Sequence, residues 1–488
     1  MKRLIPSLAF ILAACASPSG QTSPQPSPRP SPMTMDDASF SRELATRFQY
    51  PPPAPAPAEV ADQRLGQIAD AAYFRAFPTY DRAYSADARA RALRLANTLW
   101  VNAGTLTHEQ FVLAAAEITA LADNGHTALG ANAFLKNTPR IPVRFYLFAD
   151  GIHVLYANAA NADLLGARID AIDGRGVEAI YQRIRRYRGG TEAFRRMQLI
   201  AMLESPGLLQ AAGVGQSRDG LTLAGVLANG AAFERRVGAE ERDRSAWVSA
   251  TSRLIFPDRL ADVGMTSFLH ASEREPVSLH GADRVFWAEP IAANGYYIRL
   301  DHNGDADEGP IAPFLDAQLA RVRDQRPRFV VLDMRLNSGG DYTTTYAFAH
   351  DLPAAAPNAP IYVLTSPWTF SAAITTVAGV KQAGGARVHI VGENVGDRLA
   401  FWAEGGAFTL PNTFLRANYT TGRHVYDAPC ADLDQCFWLN YRFPVRVSTL
   451  RPDMPAPFTF SAYREGRDPA LEAVLAREAR PGSNAHMR

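Results

Sequence analysis

Two short stretches of this chain carry residues suited to acyl transfer. Asn337-Ser338-Gly339-Gly340 ends one apolar run, and Thr369-Phe370-Ser371-Ala372-Ala373 ends the next. Ser371 opens a helix-like segment, where free backbone N–H groups and the positive dipole end favour a developing anion. Gly339 and Gly340 lack side chains, so their backbone can approach a reacting carbonyl closely. A serine facing backbone N–H donors is the starting material for acyl transfer through an oxyanion hole. Taken singly, the serine stretch reads as a helix cap and the glycine stretch as a turn. Together, at consecutive strand ends, they make a candidate site.

The elements that must position them are readable in the same region. FVVLDM (329–334), IYVLT (361–365) and VHIVG (388–392) are short, β-rich and apolar on both faces, as strands of a parallel sheet covered on both sides are. Helix-like segments over 342–352 and 370–383 lie between them, the second stopped by Gly384-Gly385. The order predicts a right-handed βαβαβ unit, with chemistry at the carboxyl ends of its strands.

LDMRLNSGGD resembles the D-x-R-x-N-x-G-G segment of the C-terminal processing (tail-specific) serine peptidases. TFSAAI resembles their nucleophile segment and IVGEN their G-E segment. That family also contains the tricorn core peptidases and non-catalytic retinoid-binding relatives. The resemblance implies an α/β core of ClpP/crotonase-like βαβ type and a serine peptidase acting on peptide or protein substrates. Ser371 would be the nucleophile, with the N–H groups of Gly339 (or Gly340) and Ala372 holding the oxyanion. LADNGHTAL (121–129) is similar to the family's D-G-H-T segment, whose histidine is the general base in the tricorn-type branch; here it is His126. LLGARIDAIDGRGVEAIYQRI (164–184) resembles the late part of a PDZ domain, a module that holds chain ends by strand addition. No G-L-G-F-type loop precedes it, so a working and a purely structural PDZ-like module both stand. RPDMPAPFTFSAYREGRDPALEAVLA (451–476) resembles the family's closing segment.

Most tail-specific peptidases activate their serine with a lysine in a G-K pair after the G-E segment, where this chain has Gly396-Asp397. Its lysines are Lys2, Lys136 and Lys381. Lys381 lies ten positions beyond Ser371 on the same helix, roughly 15 Å along the axis. The base is therefore expected to be a histidine within hydrogen-bond reach of Oγ. The motif selects His126, while His350 and His389 read as structural. Glu393, Asp397 and Glu404 are all candidates for the acceptor that orients the imidazole.

The 488 residues are 47% apolar and 20% charged, a composition with room for two or three domains. Lys2-Arg3, an apolar run and Leu12-Ala13-Ala14-Cys15 resemble a bacterial lipoprotein signal over 1–14. Cys15 would then be the lipidated first residue. Ala16 after it suggests the outer membrane, facing the periplasm. Residues 15–60 read as a Pro/Ser/Ala-rich tether, 61–140 as a helical N-terminal domain, 141–236 as the PDZ-like β-rich module, 237–285 as a connector and 286–480 as the catalytic core. Thr107-His108-Glu109-Gln110 looks like a capping box, and Gly125 a helix-ending residue. Cys430 and Cys436, six apart in an exported chain, suggest a disulfide. No metal-ligand spacing or phosphate-cradling loop occurs, so no metal or cofactor is expected. A formal charge of +1 with no basic stripe gives no reason to expect nucleic acid. Two other readings remain: a catalytically inactive relative that binds a ligand or peptide in the same cleft, and an envelope adaptor working through the PDZ-like part.

Overall fold

The computed structural model describes residues 32–55, 62–130, 133–134, 138–240, 251–269 and 276–480. Cys15, Lys2 and Lys136 lie outside the described residues.

The three apolar runs form Phe329–Asp333, Ile361–Thr365 and Val388–Gly392, adjacent and parallel in one six-stranded sheet. Met454–Pro455 closes one edge in parallel. Gly295–Leu300, parallel, and Phe286–Ile291, antiparallel, complete the other. Every residue of the Phe329–Asp333 and Ile361–Thr365 strands is buried, because helices Ile311–Gln325, Thr343–Ala355 and Ala372–Gly384 pack one face while Pro469–Glu478 covers the other. This is why those runs show no alternation.

The amino-terminal part departs from a simple domain series. Helices Gln63–Phe74, Ala86–Asn102 and His108–Ala120 form as the sequence suggests, and Thr107 and Gln110 make the capping box. Their core is shared, however, with the β-rich part. Phe74, Phe111, Phe145, Ile169 and Leu221 belong to one apolar cluster, which also takes in Phe408, Leu415 and Tyr419 from the hairpin Gly406–Leu410/Leu415–Tyr419. That hairpin leaves the core domain and pairs with Ala128–Leu129. The β-rich part is an antiparallel sheet of Val143–Phe148, Gly151–Asn158, Arg168–Ile172, Gly220–Val226 and Ala232–Gly238, with helix Val177–Ile184 beside it. The connector adds Met265–Ser267 to this sheet.

The tether expectation needs correcting. Within 15–60, Asp37–Phe48 is an α-helix capped by Asp36. Phe40 and Phe48 recur at helical spacing and bury against Phe437, Trp438 and Tyr342, so this part of the segment is structured. The Cys430–Cys436 disulfide forms nearby.

Candidate active site

Ser371 stands at the amino-terminal cap of helix Ala372–Gly384 with φ 55° and ψ −128°. This is a conformation that a non-glycine residue holds only under constraint. The constraint is visible in the hydrogen bonds around it. The Thr369 hydroxyl donates to the Met334 carbonyl at 2.8 Å and accepts from the Ser366 N–H at 3.0 Å. Phe370 N–H reaches the Asn337 carbonyl, and Gly396 N–H reaches that of Thr369. Asn303, fully buried, donates from Nδ2 to Thr345 and Thr376 at 2.7 Å each, and its backbone brackets Gly339 and Asp341. A Cβ built on Gly339 (φ 111°) would lie 2.6 Å from the Ser371 Cβ and 3.1 Å from the Ala372 nitrogen. Only glycine lets the loop lie this close.

Of the three N–H groups that the sequence offers as oxyanion donors, one is already engaged: that of Gly339 donates to Asn337 Oδ1 at 2.9 Å. The N–H groups of Gly340 and Ala372 have no acceptor among the described residues and remain the available donors. The Asn337 side chain, missed in the sequence, is fully buried and its Nδ2 has no partner.

His126 reaches the site from a loop held on several sides. The buried Asp81 carboxylate accepts from the Thr127 hydroxyl at 2.6 Å and from the Thr420 N–H at 2.8 Å. Asn124 exchanges hydrogen bonds with Trp402, and Arg188 donates to the Gly125 carbonyl. Arg195 and Arg398 both pair with Asp123. Gly125 is not the left-handed residue at the helix end; Asp123 is, with φ 46°. Gly125 is required for a different reason, since a Cβ there would lie 2.8 Å from the Phe370 ring.

The imidazole itself sits in a column of rings, Phe194–Phe370–His126–Phe401–His424. Successive centroids are 4.2, 4.3, 5.4 and 4.9 Å apart. Asp397 Oδ2 is 3.7 Å from Nδ1, beyond hydrogen-bond distance. Both ring nitrogens are buried without a hydrogen-bond partner among the described residues, so no Ser371–His126 bond is made. Burial, then His424 and Arg188, depress the His126 pKa to about 3, and burial raises that of Asp397 to about 7. Both groups are thus favoured neutral, and a neutral imidazole is the form a base requires.

Asp397 is the acid beside His126. Glu404 instead pairs with His424 at 3.3 Å, and Glu393 lies on a cavity wall with Trp368 and Phe458, where burial raises its pKa. Lys381 donates to the Val388 carbonyl at the far end of its helix. His350 bonds its own helix and His389 lies on its strand beside Tyr362 and Arg477.

No protein-family model matches this sequence, and no curated protein does. Among solved structures, mature CPAF complexed with lactacystin is similar with a TM-score of 0.53 and 11% identity, over 87% of this chain and 99% of that one. A CPAF mutant gives 0.51 and 11% over 87% and 98%. The photosystem II D1 C-terminal processing protease gives 0.34 and 13% over 84% and 99%. At such identities the likeness to CPAF establishes architecture, and the chain has the fold of CPAF.

Proposed function

We propose that this chain is a serine peptidase of the tail-specific kind that uses a histidine base. Ser371 Oγ attacks a peptide carbonyl, and His126 takes its proton and returns it to the leaving amine. The N–H groups of Gly340 and Ala372 face the oxyanion at the positive end of helix Ala372–Gly384. The observation that carries this reading is the backbone at Ser371. A left-handed φ, a helix amino terminus and a glycine backbone against the same Cβ coincide there. Asp397, once ionised, would stabilise the imidazolium from 3.7 Å. For Ser371 to attack, His126 must come within hydrogen-bond reach of its hydroxyl, a tightening that substrate binding commonly brings.

The proposal places the enzyme in the cell envelope, held through a lipid on Cys15 and facing the periplasm. The Cys430–Cys436 bridge fits such an oxidising compartment. In this proposal residues 141–236 form a PDZ-like module. A second reading, an inactive relative that binds a ligand in the cleft, is favoured by the unmade Ser371–His126 bond.

Labelling of the full-length protein with a fluorophosphonate serine probe separates the two, beside Ser371→Ala and His126→Ala. Labelling of the wild type that both variants lose, with folding intact, is the expected result. An unlabelled wild type favours the binding protein, and undiminished labelling of His126→Ala removes that residue from the mechanism.

A further inference from the structure

A cavity of about 350 Å³ opens beside the nucleophile loop. It lies between strand Val143–Phe148, helix Glu192–Leu199 and the carboxyl ends of the core strands. Its walls are largely aromatic and apolar, with Tyr146, Phe148, Met197, Leu336, Trp368 and Phe458 among them. Trp368 also lines a second cavity, of about 240 Å³, that contains His126, Ser338 and Phe370. Helix Glu192–Leu199 serves both spaces: Ala193, Arg196 and Met197 face the first, and Phe194 and Gln198 the second. A polypeptide lying in the cavity beside His126 and Phe370 would meet the larger one on the other side of Trp368.

The wall carries two cations and two acids, and both cations already have partners. Arg335 is held by two carboxylates, Asp333 at 2.6 Å and Asp468 at 2.7 Å. Arg196 is likewise held by Glu178 at 2.6 Å and Glu192 at 3.2 Å. The other acid on the wall, Glu393, has no cation within ion-pair distance among the described residues. Burial raises its pKa, which a cation brought beside it would lower again. Aromatic faces attract cations, and a long apolar stem can line such walls while its charged end meets a carboxylate. A substrate carboxylate, by contrast, would meet Glu393 with no unpaired cation to compensate.

We infer that this cavity is a specificity pocket for a lysine or arginine side chain of the polypeptide substrate, with Glu393 receiving the cationic end. The inference rests on the acyl-transfer reading for its meaning, yet binding tests it separately. A degenerate hexapeptide library is passed over full-length Ser371→Ala protein, and the retained peptides are read by mass spectrometry. The expected result is at least tenfold enrichment of lysine and arginine at one position. That enrichment is lost in Ser371→Ala/Glu393→Gln, which keeps the size of the side chain and removes its charge. It is also lost in Ser371→Ala/Met197→Arg, which brings a cation to the wall; unfolding midpoints report that each variant is folded. Absence of enrichment, enrichment of acidic residues, or a basic preference that survives Glu393→Gln overturns the pocket. Digestion of the same library by the wild type reads the other question. Cleavage without a basic preference keeps the peptidase and discards the pocket; basic enrichment without cleavage does the reverse.

Discussion

Around Ser371 the backbone and the small polar side chains interlock, whereas around His126 the backbone is tied and the ring is left without a polar contact. On the nucleophile side, Asn303, Asn337, Thr345, Thr369 and Thr376 spend their hydrogen bonds on holding two loops at one separation. On the base side, Asp81, Arg188, Arg195 and Arg398 hold the loop, but two buried imidazole nitrogens and Asp397 Oδ2 have no partner. Each such group costs about 1–3 kcal/mol. Both sides keep unmet capacity, since Asn303 Oδ1 and Asn337 Nδ2 also lack partners among the described residues, but only on the base side does it fall on the groups that would move the proton. Under the proposed mechanism the oxyanion side is preorganised, and the proton-transfer side would be completed when Ser371, Asp397 and the imidazole come together.

The largest effect is expected from disturbing the preorganised half. In Gly339→Ala the new Cβ lies 2.6 Å from that of Ser371, at a φ of 111° that alanine rarely adopts. The loop must move, and the strain costs about 1–3 kcal/mol. Displaced donors should lower the fluorophosphonate labelling rate by about 100-fold or more. Thermal unfolding measures the strain and labelling the chemistry. A wild-type rate in this variant would mean that the close approach of the two loops does not serve catalysis.

A loss at the low end of what general-base catalysis contributes, about 100-fold at pH 8, is expected for Asp397→Asn, which tests the other half. His126, depressed to about 3, is neutral throughout the working range, so the titration that matters is that of Asp397, near 7. Wild-type labelling should rise with pH through about 7 as the carboxylate ionises, and the variant should show a flat profile there. Stability should run the opposite way. The folded state holds the Asp397 proton more tightly than the unfolded chain, whose aspartates titrate near about 4. From this group, wild-type stability therefore falls as pH rises from about 4 to about 7 and then levels off. Asp397→Asn, free of that term, should unfold at pH 8 at a temperature no lower than the wild type. A variant that keeps the pH limb, or loses activity only by unfolding, would make Asp397 a packing residue.

The two halves also differ in how far they could be read from the amino acids. The parallel strands, Ser371 and the glycine loop were legible because they lie in one continuous stretch, where burial on both faces writes unbroken apolar runs. His126 was reached through a motif, and its surroundings were not legible. Phe194, Phe401 and His424 come from three distant segments, and no local pattern announces a column of rings. The choice among Glu393, Asp397 and Glu404 was a matter of spatial distance alone. The engagement of the Gly339 N–H by Asn337 depends on a side-chain torsion that spacing does not encode. Helix Asp37–Phe48 was hidden by its proline-rich flanks, although Asp36 as a cap and Phe40, Leu44 and Phe48 at four-residue intervals carried the signal.

Gly125→Ala probes the point where the halves touch, and its effect should be the smallest of the three. Gly125 is not at positive φ, so alanine meets no backbone penalty there; the new methyl instead lands 2.8 Å from two Phe370 ring atoms and 3.2 Å from Asp397 Oδ2. Phe370 is both the neighbour of Ser371 in the chain and the ring on which His126 stacks, at 4.3 Å. Pushing it aside shifts the imidazole relative to the nucleophile while leaving the hydrogen bonds of the oxyanion loop in place. Overpacking of this kind costs about 1–3 kcal/mol, and a displacement of a few tenths of an ångström to 1 Å should slow labelling by about tenfold. Pairing it with Phe370→Leu, which shortens the clashing side chain, should recover stability. It should not recover the rate, because the surface that orients His126 is then gone. Recovery of both would show that the ring column only fills space, and that the two halves of the site are positioned independently.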